Sequence, residues 1–182
     1  MATVFDNQIQ NRNYLSSVGF KFTLSKFPKV SFFSNATRIP EITLSTVAQS
    51  NYLKMIDVPG DTLTYGDFTL QFLVDENMEN YMTVHNWLTG LGFPEVASQY
   101  DDFITKNEIT DPKNAFCDGT LRILNSNYRD IVLVKFKDLY PISLTPLEFG
   151  AQETDINYFT AEATFKYTVY NILKPDGSTY ES

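Results

Sequence analysis

The feature that most constrains the fold is a change of hydrophobic period within one stretch, GDFTLQFLVDENMENYMTVHNWLTGLGFP, which begins at Gly66. Apolar side chains first occupy every second position, which is typical of a half-buried strand. After Met78 they recur at intervals of three and four, which is typical of an amphipathic helix. The sequence therefore predicts one strand that continues into one helix through the acidic joint Asp75-Glu76-Asn77.

The acidic joint has a structural explanation that needs no chemistry. The side chain of Asp75 or Asn77 can accept a hydrogen bond from a free backbone N–H of the first helical turn. Asp75 and Glu76 also lie where the helix dipole favours negative charge. Gly90 and Gly92 predict the end of the same helix. We therefore interpret the joint as a helix cap.

Most of the other segments predict antiparallel strands. Residues 118–141 predict a hairpin that turns at Asn125-Ser126-Asn127, and residues 156–172 predict the longest strand. Apolar residues are too sparse in residues 41–61 for a core strand pair, so we expect a long, partly exposed hairpin there. No internal repeat or linker divides the chain, which predicts one domain over residues 1–182. Its peripheral parts are an N-terminal arm (1–14), the protruding hairpin (41–61) and a flexible tail (174–182).

The last predicted strand has one apolar face and one polar face. Such a strand belongs to an antiparallel sheet whose second face meets water. On pattern alone an ordinary solvent-exposed face is the simpler interpretation, and a face that lines a channel in an assembly is the alternative. The polar residues are Thr160, Glu162, Thr164, Lys166 and Thr168.

Charge and composition exclude several classes of partner. The formal net charge is -8, and no cluster of Lys and Arg is present for binding phosphate. The single cysteine, Cys117, excludes an internal disulfide. No apolar run approaches the roughly 20 residues needed to cross a bilayer, and the N-terminus lacks the apolar core of a signal peptide. We therefore expect neither specific nucleic-acid binding nor a membrane partner.

The residues that could carry catalysis have simpler explanations. His85, the only histidine, lies on the apolar stripe of the helix, which predicts a packed core histidine. Cys117 as a nucleophile would need His85 as its base, and no activating motif surrounds either residue. The adjacent carboxylates Asp75-Glu76 and Asp101-Asp102 are poor acid–base pairs, because neighbours in sequence usually diverge. Without a His/Cys metal motif or a phosphate-binding loop, we predict no enzyme, no metal and no cofactor.

Two blocks of the chain resemble the tail tube proteins of contractile-tailed, T-even-like bacteriophages. The block Val58–Leu88 is similar to that family's hairpin end, strand, acidic cap and helix, and carries Trp87 near its end. The block that begins at Val132 is similar to the family's closing part, with an aromatic-proline step at Tyr140-Pro141 and a last strand of alternating Phe and Tyr. The segment RIPEITL is similar to the family's entry into its long hairpin.

The resemblance implies a mainly β fold, an antiparallel β-sandwich or split barrel with one flanking α-helix and a long protruding hairpin. It implies a structural virion protein, whose hexameric rings stack into the inner tube of a contractile phage tail, a conduit for DNA delivery. Ring closure would pair the sheet edges of neighbouring copies and form one large barrel with a polar bore. The implied location is the virion tail, assembled in the host cytoplasm.

The resemblance also assigns partners and candidate site residues. The partners are further copies of the chain, the tail sheath, the baseplate initiator and the tail terminator, while DNA passes through the lumen without specific binding. The candidate lumen-facing residues are Thr160, Glu162, Thr164, Lys166 and Thr168, with Thr69 and Gln71 as weaker candidates. The candidate hairpin contacts between rings are Tyr52, Leu53, Met55 and Ile56. The alternatives are a baseplate tube initiator or adaptor of the same fold, the inner tube of a phage-like secretion system, and an acidic binding module or hydrolase.

Overall fold

The computed structural model describes residues 14–15, 17, 19–27, 34–92, 98, 101, 105, 116–150 and 158–180. These residues contain nine strands and one helix with defined bounds. In chain order they are β1 Phe20–Leu24, β2 Ser34–Thr37, β3 Ile42–Ser50, β4 Met55–Tyr65, β5 Phe68–Leu73, α1 Glu79–Gly92, β6 Cys117–Leu124, β7 Asp130–Leu144, β8 Thr160–Lys166 and β9 Val169–Leu173.

Two antiparallel half-sheets share the long strand β7. β6 and β9 flank the N-terminal part of β7, with β1 beyond β6, and β8, β5 and β2 follow in order from its C-terminal part. The turn between β6 and β7 is held by Asn125, whose side-chain oxygen accepts hydrogen bonds from the N–H groups of Asn127 and Arg129. The predicted hairpin and its turn are therefore confirmed.

β7 passes from one half-sheet to the other at a β-bulge next to Asp138. The pairing register with β6 shifts between Gly119 and Cys117, and Asp138 has a φ of 55°. A left-handed residue at a bulge bends the strand and increases its twist. The N–H of Asp138 donates a hydrogen bond to the side chain of Asp118 at 3.3 Å, which holds the bend against β6.

Aromatic side chains from both half-sheets meet in the core. The ring of Phe68 on β5 lies 5.0 Å from that of Phe22 on β1 and 4.5 Å from that of Phe136 on β7. On α1 the ring of Trp87 lies 6.2 Å from that of Phe165 on β8, and all five side chains are fully buried. The predicted β-sandwich or split barrel with one flanking helix is therefore confirmed.

The acidic joint caps α1 through Asp75. Its carboxylate accepts a hydrogen bond from the N–H of Asn80 at 3.2 Å, and the N–H of Asp75 donates to the Asn80 side chain at 3.3 Å. The amide of Asn80 also donates to the carbonyl oxygen of Leu73 at 2.7 Å, which ties the helix to the end of β5. Asp75 rather than Asn77 is therefore the cap, and the joint is structural.

The prediction of a packed core histidine is wrong, because His85 is exposed. The buried face of α1 consists of Asn80, Val84, Trp87 and Gly90, with Val84 at one limit of the face. Successive helical residues are separated by about 100° around the axis, so His85 lies about 100° beyond Val84 and outside this face. The apolar stripe is narrower than its sequence spacing indicates.

The predicted last strand is two strands, so the prediction of one continuous strand is wrong. β8 ends at Lys166 and β9 begins at Val169, beside the bend of β7, where the N–H of Thr168 donates to the carbonyl oxygen of Lys137 at 3.0 Å. A neighbour of a bent strand must bend with it, and the two residues of this bend shift the alternation of faces. As a result Tyr170 is buried, although an unbroken strand would place it on the polar face.

The hairpin is longer than its predicted range, and the tail contains a backbone hydrogen bond. β3 and β4 pair from Ile42↔Tyr65 to Ser50↔Met55, so the hairpin extends beyond the predicted 41–61. In the tail, the N–H of Lys174 donates to the carbonyl oxygen of Ser178 at 2.8 Å. The N-terminal arm lies outside the described residues except for its end, and the division of the chain into these parts stays a prediction.

Replacing Asp138 tests the bend of β7. Glycine adopts a positive φ without steric cost, so Asp138→Gly should leave the free energy of unfolding unchanged or raise it by up to about 1 kcal/mol. Valine is disfavoured in the left-handed region, so Asp138→Val should lower it by about 1–2 kcal/mol. Urea unfolding followed by the fluorescence of the buried Trp87 measures both values. Equal stability of the two variants would contradict the bend.

Candidate functional site

Four of the predicted lumen residues form two cross-strand pairs on the second half-sheet. Thr69 of β5 lies opposite Thr164 of β8, and Gln71 lies opposite Glu162. Opposite residues of antiparallel strands point to the same side of a sheet, and the alternate pairs, which are apolar, point into the core. The structure therefore brings the four side chains together on one surface. This surface, the polar face, consists of Arg38, Asp67, Thr69, Gln71, Glu162, Thr164 and Lys166.

The charges on the polar face offset one another. Lys166 forms an ion pair with Asp67, and both side chains remain partly exposed. Arg38 and Glu162 line a shallow recess of about 260 Å³ together with Thr69 and neighbouring residues. Two cations and two carboxylates therefore share this surface, whereas the whole chain carries a net charge of -8.

The remaining two predicted lumen residues lie at or beyond the margin of the polar face. Thr160 begins β8 opposite Leu73 and is exposed. Thr168 lies in the bend between β8 and β9 rather than on β8. The predicted row of five residues therefore ends at Lys166.

The tip of the hairpin carries the predicted contacts between rings, and all of them are exposed. Tyr52 and Leu53 lie in the loop between β3 and β4, with 96% and 89% of their surface accessible, and Met55 and Ile56 follow with 66% and 48%. Residues of both arms, such as Leu44, are exposed as well. A two-stranded ribbon without a covering layer is at best marginally stable in water. The hairpin therefore has the properties of a segment that is covered in an assembly.

A bulge shapes the middle of the hairpin. The pairing register shifts between Leu44 and Thr46, and Gly60 lies opposite this point. A Cβ atom on Gly60 would lie 2.3 Å from the hydroxyl oxygen and 2.7 Å from the carbonyl oxygen of Ser45. Only glycine allows the two strands to approach this closely.

Two tyrosine hydroxyls fix the base of the hairpin to the body of the protein. The hydroxyl of Tyr170 donates a hydrogen bond to the carbonyl oxygen of Pro40 at 3.0 Å, just before the hairpin. The hydroxyl of Tyr167 donates to the carbonyl oxygen of Gly66 at 2.8 Å, just after the hairpin. The ring of Tyr65 lies 5.6 Å from that of Tyr170 and 6.2 Å from that of Tyr167. Both ends of the hairpin are therefore held at one site.

Burial makes this site unfavourable for tyrosine ionisation. Removal from water, with the nearby Tyr170, Asp67 and Tyr65, raises the pKa of Tyr167 to about 12. Burial likewise raises the pKa of Tyr170, with a smaller effect from Tyr65. The hydroxyls therefore keep their protons and act as hydrogen-bond donors. Sequence reasoning missed these residues because the alternation pattern contains no sign of the bend that turns Tyr170 inward.

The described residues show no arrangement suited to catalysis. Burial raises the pKa of the Cys117 thiol, and His85 lies exposed on α1. Among the residues with described positions, no three His, Cys, Asp or Glu side chains could hold one metal ion. Of the second predicted carboxylate pair only Asp101 is described, since Asp102 lies outside the described residues. None of the helical segments that the structure describes is long and apolar enough to cross a bilayer.

Comparison with known families assigns the chain to one of them. A family model described as phage tail tube protein matches residues 2–173. The chain belongs to the phage tail tube protein family. The resemblance predicted from the sequence is therefore confirmed.

One sequence relative and two solved structures illustrate the similarity of this family member to known proteins. The tail tube terminator protein of Enterobacteria phage T4 is 25% identical over 176 residues, which cover 92% of this chain and 90% of that protein. A chain of the anti-feeding prophage tube terminating cap matches with a TM-score of 0.60 and 14% identity, covering 95% of this chain and 99% of that chain. A chain of the PVC sheath/tube terminator of an extracellular contractile injection system, in the extended state, also matches. Its TM-score is 0.62 at 14% identity, and the match covers 89% of this chain and 99% of that chain.

At these identities the structural matches show a shared fold alone. The descriptions of the relatives name parts of tails or injection systems, and none of them names an enzymatic activity. The tail tube family therefore accounts for the fold. We therefore take the polar face and the hairpin tip as candidate functional surfaces.

Tyr170→Phe tests the attachment of the hairpin. The substitution keeps the buried ring but leaves the carbonyl oxygen of Pro40 without its hydroxyl donor, so the free energy of unfolding should fall by about 1–3 kcal/mol. Amide hydrogen exchange, read by mass spectrometry, should accelerate in residues 42–65 more than in the core strands. Tyr128→Phe at the exposed β6–β7 turn is the matched control and should change neither quantity. Uniform acceleration across the chain would show that the hydroxyl has no special role at the hairpin base.

Proposed function

We propose that the chain forms a hexameric ring that ends the inner tube of a contractile phage tail. The observation that carries this proposal is the end-to-end sequence similarity to the tail tube terminator protein of phage T4. The folds shared with chains from two tube-terminating assemblies support it. The partners under this proposal are further copies of the chain, the last ring of the tube and the sheath. The protein acts in the virion tail after assembly in the host cytoplasm.

The open sheet supports lateral assembly into a ring. The described strands run in the order β1-β6-β7-β8-β5-β2 without closing into a barrel. Strands of neighbouring copies can extend such a sheet, and closure of the ring removes its edges. The polar face is our candidate for the inner wall, because the opposite face of the same half-sheet packs against the apolar core. DNA would pass a wall without a cluster of cations and would not be held there.

The exposed hairpin supports contact with other subunits of the assembly. Its apolar tip consists of Tyr52, Leu53, Met55 and Ile56, none of which is buried within the chain. Apolar side chains concentrated at the end of a long arm favour contact with another surface over permanent exposure to water. We therefore assign the tip to contacts within the assembled tube.

A second candidate function is that of the repeating tube subunit, whose rings stack along the whole tail. The description of the family as phage tail tube protein favours it. The two candidates differ in copy number, because a terminator forms one ring for each tube and a tube subunit forms many. They also differ in self-assembly, since only the tube subunit stacks on itself without limit.

Electron microscopy of the purified protein tests the proposed function. We expect separate rings that do not stack, and addition of tail tubes from the same phage should give one ring at a tube end and stop further elongation. Gly60→Ala should reduce end binding at least about ten-fold, because the added methyl group collides with Ser45 and distorts the hairpin. Gly92→Ala, where an added methyl group meets no neighbour, is the matched control. Long tubes from the chain alone would replace the proposal by the second candidate, and a persistent monomer would refute both.

Labelling of the polar face tests the proposed inner wall. A small electron-dense maleimide coupled to Gln71→Cys after ring assembly should appear as density inside the bore in top views. Cys117 should stay unlabelled because it is buried and its pKa is raised. Tyr128→Cys, at the exposed β6–β7 turn, gives a reference position on the same particles. Density from the Gln71→Cys label on the outer circumference would contradict the assignment of the polar face.

A further inference from the structure

An apolar groove lies beside the cap of α1, at the end of β5. Its volume is about 680 Å³. The apolar wall comes from the end of β5 and from the segments that follow β7 and precede β8, and its members include Leu73, Val74, Leu147, Phe149 and Phe159. Asp75 and Glu76 lie on the rim, so the groove combines an apolar wall with negative charge.

The backbone and ring contacts hold the wall of the groove in place. The N–H of Val74 donates a hydrogen bond to the carbonyl oxygen of Phe159 at 2.8 Å. The rings of Phe149 and Phe159 lie 4.7 Å apart. Phe149 is nevertheless 75% exposed, and Leu73 is 37% exposed. Such an exposed apolar surface favours a partner that removes it from water.

The hairpin tip has the complementary chemistry. Tyr52, Leu53 and Met55 are among the most exposed apolar residues of the chain. Lys54 lies between Leu53 and Met55, and it is the single cation in the sequence of residues 42–65. The tip therefore presents apolar side chains around one positive charge, whereas the groove presents an apolar wall beside two carboxylates.

We propose that this groove is the docking site for the hairpin tip of a second copy of the chain. The apolar tip residues enter the groove, and the ammonium group of Lys54 lies near Asp75 and Glu76 on its rim. The inference deepens the proposed function and depends on it, because assembly supplies the second copy. The groove would then cover a hairpin tip that is exposed in the single chain.

The length of the hairpin is sufficient for this contact. The nine residues of β3 extend about 30 Å at about 3.3 Å per residue. A chain of 182 residues has a radius of gyration of about 16 Å, so the arm reaches beyond its own body and over a neighbour. In a single ring the second copy is the adjacent subunit.

Cross-linking across the proposed contact provides the test. The double variant Leu53→Cys, Leu73→Cys places one thiol on the tip and one on the groove wall. A short bis-maleimide should join neighbouring copies in assembled rings at least about a hundred-fold faster than copies in dilute monomer, because docking raises the effective thiol concentration to the millimolar range. Denaturing gels should then show a ladder that ends at the hexamer.

The control and the outcomes separate this inference from the proposed function. Leu53→Cys, Tyr128→Cys carries the same number of thiols with one of them at the β6–β7 turn, and it should give no ladder. Rings that form but do not cross-link would overturn the docking and leave the proposed function standing. Absence of rings would overturn both. A ladder longer than the hexamer would support docking between stacked rings and favour the second candidate function.

Charge reversal tests the same contact independently. Lys54→Glu should weaken ring association about two- to five-fold per contact, which is the range of an exposed ion pair. Glu76→Lys should weaken it similarly, and the double variant should restore it. Glu76 is preferred to Asp75 because Asp75 caps α1. Lys135→Glu on the first half-sheet is the charge-matched control, and failure of the double variant to recover would argue against the pairing.

Discussion

The bend of β7 at Asp138 is the constraint on which the rest of the structure depends. Because one strand belongs to both half-sheets, the bend determines how their apolar faces meet. Phe68 can contact Phe22 and Phe136 at the same time only when the two halves face each other across the core. The segment that pairs along one side of β7 has to follow the bend, which is why β8 and β9 are separate strands.

The same bend determines where the hairpin leaves the body. The interruption between β8 and β9 turns Tyr170 inward and allows its hydroxyl to reach Pro40, while the hydroxyl of Tyr167 reaches Gly66. These two acceptors flank the hairpin, so its direction is fixed at the base and not along its exposed arms. A ribbon that is exposed on both sides cannot fix its own direction by packing. The core, the polar face and the hairpin are therefore parts of one geometric arrangement.

The sequence predicted those parts of the fold that depend on local periodicity. The alternation around Phe68, the cap at Asp75 and the turn at Asn125 each depend on residues close in sequence, and the structure confirms them. The polar faces of β5 and β8 were predictable separately, but their pairing depends on a register that no local pattern specifies. The positions of Thr168 and Tyr170 depend on the bend of a neighbouring strand, which alternation does not encode.

Helical periodicity wrongly predicted that His85 is buried, for a related reason. Spacing identifies which residues share a side of a helix, but the width of the buried face depends on the sheet against which the helix packs. α1 packs through Val84 and Trp87, and the face they define does not include His85. The apolar groove could not be predicted from the sequence either, since its wall combines β5 with segments more than seventy residues later in the chain. Contacts of that range follow from the tertiary fold alone.

Charge limits which surfaces of this protein can meet in an assembly. Each copy carries a net charge of -8, and a ring brings several such copies together. Screening at physiological salt confines repulsion to charges within about 8 Å of one another, so association depends on the local charge of the surfaces in contact. The polar face is locally balanced by Arg38 and Lys166, and the hairpin tip is apolar with a single cation. Under the proposed function, the polar face and the hairpin tip therefore add little to the repulsion. A balanced inner wall would also neither bind nor strongly repel the phosphates of a passing DNA, which is the electrostatic condition for a conduit.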